Sequence, residues 1–269
     1  MTFDSNRAWN EASRAVSANK EVVLAIAGVF FLLPQLAFTT FFPAPEMASG
    51  MTEQQVIDAA KTYYTSILPV MIPVFLCQAL GTLSLLCLLD TDRRPTVGEA
   101  IGSGLKGLLP YLAAQILMGM GLTAVLLAPA MLLAVGGTAG AVIGLALGFV
   151  LVIPVAVRLS LTSPVIAVDG VFNPLHALTR SWQLTRGNTA RIFGFYALLS
   201  LAMMALLILG NVATLPIALL APKAIAELAG AVIGSILATV MVLYFVAVIG
   251  QIHRQLSGGS AETLTSPFE

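Results

Sequence analysis

Charge is what this chain has least of. Thirteen basic and thirteen acidic side chains in 269 residues make 10%, where a soluble domain carries about 25%. With 58% of the residues hydrophobic, too few polar groups remain to coat a globule of this size, and lipid must be the solvent for most of the chain. Net charge is zero, which removes the general basic field that would draw nucleic acid. Histidine is nearly absent: there are only His176 and His253. No G-x-S-x-G, H-E-x-x-H or P-loop pattern occurs. Metal-assisted phosphodiester hydrolysis needs clustered carboxylates or histidines, whereas Asp90, Asp92, Glu99 and Asp169 stand at turns and caps and His176 falls on the polar face of a short helix. The reading is no enzyme, no metal and no cofactor. Cysteine is equally scarce. Cys77 and Cys87 share one apolar run, stand about 15 Å apart on a helix and cannot bridge, so both read as small apolar residues.

What the chain does have is long apolar runs, and its mean hydropathy is +0.94. A hydrocarbon core needs about 20 apolar residues in a helix. Six runs qualify, at about 21–42, 66–89, 109–134, 140–160, 192–220 and 224–250. The sequence predicts an all-α polytopic membrane protein with six transmembrane helices. Pro34, Pro69, Pro73, Pro129 and Pro154 point to kinks within spans, and Pro216 and Pro222 to a broken loop between the last two. The first 20 residues are polar, and no small-residue cleavage site follows the first run, so that run is expected to stay as an anchor rather than act as a signal peptide. The organisation expected is an interfacial helix over 1–20, a transmembrane domain over 21–256 and a flexible tail over 257–269.

Basic residues orient the chain. Arg7, Arg14, Lys20, Arg93, Arg94, Lys106, Arg158, Arg180, Arg186, Arg191 and Arg254 fall on one side, and only Lys61 and Lys223 on the other. The positive-inside rule then puts both termini in the cytoplasm of a bacterial inner membrane.

Amphipathic helices interrupt the apolar runs on that basic side. In "DSNRAWNEASRAVSA", residues 4–18, Ala8, Trp9, Ala12, Ala15 and Val16 share one face, with Asp4 as N-cap; Trp9 is expected to anchor the helix in the headgroup layer. A capping box at Thr96 and Glu99 opens a second elbow over about 96–106. Another capping box, Thr52 with Gln55, opens an outer helix at about 52–63. The third elbow, about 174–186, lies in "DGVFNPLHALTRSWQLTRGNTARIFGF", residues 169–195. Asp169-Gly170 makes a turn, Asn173 caps a helix that begins at Pro174, and Gly187 ends it. Asn188 is placed to cap the next span.

The stretch "SPVIAVDGVFNPLHALTRSWQLTRGNTARIFGF" resembles the signature of the glycerophosphoryl diester phosphodiesterase membrane-domain family, related to YciC-type bacterial inner-membrane proteins. The matching elements are Arg158, Ser163-Pro164, Asp169-Gly170, Ala177-Leu178, Arg180-Ser181-Trp182, Leu184-Thr185 and Gly187. "TVGEAI" at 96–101 and the N-terminal "RAWNEASRAV" also fit. The likeness runs over most of the chain and is specific in 158–195. It implies the membrane module only and carries no catalytic residue here, because a phosphodiesterase barrel needs roughly 250 residues and the spans take up this chain.

Coupled transport plants ionisable groups at membrane depth. The mid-span polar residues here are Gln35, Gln78, Gln115 and Asn211, which more often bond helix to helix. The expected function is therefore a non-enzymatic membrane protein in lipid organisation or lipid handling, with a transporter or channel for a lipid or small solute as the alternative. The expected partners are membrane phospholipids, with a homo-oligomer or a membrane-protein partner left open. Arg158, Arg180, Arg186 and Arg191, beside a helix start at Asn188, form the candidate headgroup site, since arginine forks and helix N-termini both suit phosphate. Trp9 and Trp182 are the expected interfacial anchors.

Overall fold

The computed structural model describes residues 2–43, 50–90 and 95–258. Arg93, Arg94 and the tail beyond Gly258 lie outside the described residues. Every regular element among those described is helical: α1 (Ser5–Ala18), α2 (Lys20–Ala27), α3 (Leu33–Phe41), α4 (Glu53–Leu88), α5 (Val97–Leu133), α6 (Gly137–Leu159), α7 (Thr162–Ala167), α8 (Pro174–Thr185), α9 (Thr189–Leu220) and α10 (Lys223–Ser257). A π-helical turn, Gly28–Leu32, joins α2 to α3. It stands just ahead of Pro34, whose ring would clash with a carbonyl in the preceding turn of a regular helix.

Among the described residues five helical stretches are long and apolar enough to cross a membrane: Lys20–Phe41, Glu53–Leu88, Val97–Ala167, Thr189–Leu220 and Lys223–Ser257. The third runs for 71 residues, because a 3-10 turn, Ala134–Gly136, carries α5 into α6 without an intervening loop. The chain nevertheless doubles back there. A Cβ on Gly140 would strike the Leu133 carbonyl, one on Gly144 the Pro129 carbonyl, and one on Gly148 the Leu126 carbonyl. Residue numbers rise on α6 as they fall on α5, which is the signature of an antiparallel pair, and Gly137 makes the reversal at φ +75°.

Two expected elements take a different form. The elbow over 96–106 is not a separate helix, since α5 runs unbroken from Val97 through Pro110. Its buried residues are Ala100, Gly104, Gly107, Tyr111 and Ala114, a continuous stripe at helical spacing. A break at 106 would throw that stripe out of phase. The outer helix at 52–63 likewise continues into the second span as α4, opening on the Thr52–Gln55 capping box. Pro216 also lies inside α9, while Pro222 stands at the N-cap of α10.

The core sits at one end of the molecule. In α9 the buried residues are Ile192, Phe195, Leu199 and Met203, all in its first half, and in α5 none lies beyond Ala114. The last turns of α4 and of α10 supply Leu83, Leu85, Leu86 and Val246, Val248, Ile252. At the other end large apolar side chains such as Met131, Leu132, Leu209 and Leu220 are exposed.

Helix α1 closes the packed end. Its Ala8, Ala12 and Ala15 are buried, small enough to bring the helix close to α10. The Asp4 backbone N–H donates to Gln255 Oε1 at 3.3 Å, and Trp9 stacks on Tyr244 with ring centroids 5.6 Å apart. Trp9, 40% exposed, is thus held against α10. Asp4 caps the helix as expected, accepting from the Arg7 N–H at 3.0 Å.

Candidate functional site

Helix α8 is the platform around which the expected site residues are arranged. Asn173 Oδ1 accepts from the N–H groups of Leu175 and His176 at 3.0 and 3.1 Å. Gly187, at φ +85°, provides the left-handed position that ends the helix. The platform is fastened from beneath. The Ser181 hydroxyl donates to the Arg158 carbonyl at 2.8 Å and accepts from the Leu161 N–H at 3.1 Å. Thr185 donates to the same carbonyl at 3.3 Å. Both hydroxyls are fully buried, and they satisfy backbone groups that the end of α6 leaves over.

The candidate arginines divide between two faces of α8. Arg158 lies with its guanidinium carbon 4.5 Å from the centroid of the Trp182 ring, a cation–π distance. Its Nε also donates to Thr189 Oγ1 at 3.3 Å, at the first residue of α9. Trp182 is 37% exposed, so the stack is partly open on its outer side. Arg180 turns instead to Asp169, Nε to Oδ2 at 4.0 Å. Arg186 stands at the C-cap of α8 and Arg191 in the first turn of α9, both exposed. Asn188 occupies the N-cap of α9, but no side-chain bond caps that helix. Its Oδ1 accepts from the Phe3 N–H at 3.0 Å instead, which differs from the capping role expected of it and ties the N-terminal segment to the α8–α9 turn.

A polar pocket that the sequence reading did not single out lies behind Asp169. It holds about 250 Å3 and is lined by Asp90, Asp169, Gln251, His253, Arg254 and Ser257 together with apolar residues of α4 and α10. His253, only 2% exposed, stands with Nε2 3.2 Å from Asp169 Oδ2. The same carboxylate oxygen thus meets both His253 and Arg180. Gln251 is buried, and its Oε1 has no hydrogen-bond partner among the described residues. The signal was present in "GQIHRQL", where polar residues crowd the last turns of an apolar helix, but nothing local tells a buried histidine from a solvated one. His176, by contrast, is exposed on α8 as expected. Among the described residues no group of three histidine, cysteine or acidic side chains is placed to hold a metal ion. The Cys87 thiol donates to the Ala167 carbonyl at 3.2 Å, fastening the end of α4 to α7.

No protein-family model, curated protein or solved structure matches this chain.

Proposed function

We propose that this chain is a six-pass bacterial inner-membrane protein with both termini in the cytoplasm, and that it organises or handles membrane lipid without catalysing a reaction. The α5–α6 hairpin supports counting its two arms as separate crossings, since they run antiparallel against each other. The membrane module implied by the Arg-Ser-Trp-x-Leu-Thr motif agrees with this reading, and that motif forms the α8 platform.

One observation carries the lipid reading: Arg158 stacked on Trp182 and bonded to Thr189 at the uncapped start of α9. A guanidinium so held is oriented before any ligand arrives. It lies beside the backbone N–H groups of a long helix's first turn, where a phosphate is favoured. Arg186 and Arg191 add positive charge on the same α8–α9 turn. Arg180, paired with Asp169, supports the platform from its other face. Among the described residues none of the long helices carries a charge near its middle, which gives the transporter reading no comparable support.

The test is the retention of phosphatidylglycerol against phosphatidylcholine by the purified protein, read by native mass spectrometry. Arg158→Lys keeps the charge, and hence the topology, but loses the planar fork and its stacking. Preferential retention of the anionic lipid should fall for Arg158→Lys, and further for Arg158→Lys combined with Arg191→Lys. Retention equal to that of the unmodified chain in both variants would reduce these arginines to topology determinants.

A further inference from the structure

Two cavities adjoin along α10. The first is enclosed by α4, α5, the α6–α7 junction and α10, and holds about 270 Å3. Its polar lining is Thr82, Tyr111, Gln115, Ser160, Thr162 and Ser163, and among the described residues no charged one lines it. The second is a groove of about 320 Å3 between α9 and α10, walled by Leu199, Met203, Met204, Leu207 and Met241, with Ser200 its one polar member. Val242 and Phe245 line both, so a polar chamber and an apolar groove flank one turn of α10, with these two side chains between them. Neither is at the surface end of that helix, since Phe245 lies about 18 Å along the axis from Ser257. No arginine of the α8 platform lines either cavity.

We propose that chamber and groove together hold one neutral amphiphile, with a hydroxyl-bearing head in the chamber and an acyl chain in the groove. This is a second lipid site, distinct from the anionic headgroup site on α8 and independent of it. The head is uncharged because the chamber offers no counter-charge, and an unpaired ion in a medium of low dielectric neutralises or stays out. Thr82, Ser160 and Thr162 already donate to the carbonyls of Gln78, Val157 and Leu159, but an apolar head would leave Gln115 Oε1 and the Ser163 hydroxyl facing it unmatched, so the head is polar. Gln115 donates through Nε2 to the Tyr111 hydroxyl at 2.7 Å, which leaves its Oε1 to accept. The Tyr111 hydroxyl, accepting from Gln115, keeps its own proton to donate, and the Ser163 hydroxyl both donates and accepts. A matching head does both, as an alcohol does and a quinone carbonyl does not. Monoacylglycerol-type lipids therefore fit, with glycerol hydroxyls beside Gln115 and Ser163. The groove suits a flexible chain, because methionine conforms to irregular apolar shapes. The chamber, at about 270 Å3, falls just below the range of about 300–1,000 Å3 for ligand sites, and the groove, at about 320 Å3, just inside it, so an amphiphile of this size draws on both.

The full chain in detergent is offered monooleoylglycerol, oleoyl-lysophosphatidic acid, which adds only a phosphate, and decylubiquinone, and retention is read by native mass spectrometry. The expected order is monooleoylglycerol first, with the other two at least about tenfold weaker, equivalent to about 1.4 kcal/mol. Gln115→Leu keeps the volume and removes the amide, and should weaken monooleoylglycerol about tenfold. Ser200→Phe fills the groove and should weaken it at least as much, while Arg158→Lys leaves it unchanged. Ser163→Ala, too small a change to unfold the bundle, should cause a severalfold loss even if Gln115→Leu does not fold. Equal retention of the phosphate-bearing analogue, preference for the quinone, or retention unaffected by both Ser163→Ala and Ser200→Phe would overturn the proposal.

Discussion

Ser181 and Thr185 belong to the polar island of 169–195, yet both are fully buried and both hydroxyls reach the Arg158 carbonyl near the end of α6. At the residue scale the polar island is therefore a fastening before it is a ligand surface. Ser181→Ala leaves the Arg158 carbonyl with one donor fewer and the Leu161 N–H without its acceptor. A buried group left unmatched costs about 1–3 kcal/mol, so this variant should melt earlier in detergent. An unchanged melting curve would show that water or a neighbour replaces the hydroxyl. Local chemistry was legible here. Asp4, Thr52, Thr96 and Asn173 all cap the helices that the sequence assigns them, because a cap's partners lie two or three residues away. Asn188 was misread because its partner, Phe3, lies 185 residues off. The pairing of His253 with Asp169 escaped notice for the same reason, the two being 84 residues apart.

At the scale of elements, glycine decides how closely the long helices approach. The α5–α6 pair rests on Gly140, Gly144 and Gly148, each facing a carbonyl of the opposite helix. Gly148→Ala would press a methyl onto the Leu126 carbonyl, and overpacking of this kind costs about 1–3 kcal/mol. Gly119 has open space where its Cβ would stand, so Gly119→Ala should leave stability unchanged or raised. Comparison of the two melting temperatures separates contact from helix propensity, and equal shifts would dismiss the close approach. Apolar length made the existence of α4, α5, α6, α9 and α10 plain in the sequence. Their ends were less so. The Thr96–Glu99 capping box marks the helix start, but no local stop signal sets its end, which the sequence reading puts near 106. Tertiary packing of the stripe from Ala100 to Ala114 carries the helix through instead.

On the scale of the whole molecule, burial and basic charge coincide. Arg158, Arg180, Arg186, Arg191 and Arg254 stand at the end where α1, α8 and the last turns of α4 and α10 pack together. Lys61 and Lys223 lie toward the other, where apolar side chains are exposed. The proposed topology puts the packed, basic end in the cytoplasm and the apolar end across the bilayer. Single cysteines at Thr179, exposed on α8, and at Thr138, exposed at the α5–α6 reversal, test it most directly, with Cys77 and Cys87 replaced by alanine. An impermeant thiol reagent applied to intact cells should label Thr138→Cys at once, and Thr179→Cys only after the inner membrane is opened. Labelling of Thr179→Cys in intact cells, with Thr138→Cys protected, would invert the topology and contradict the account.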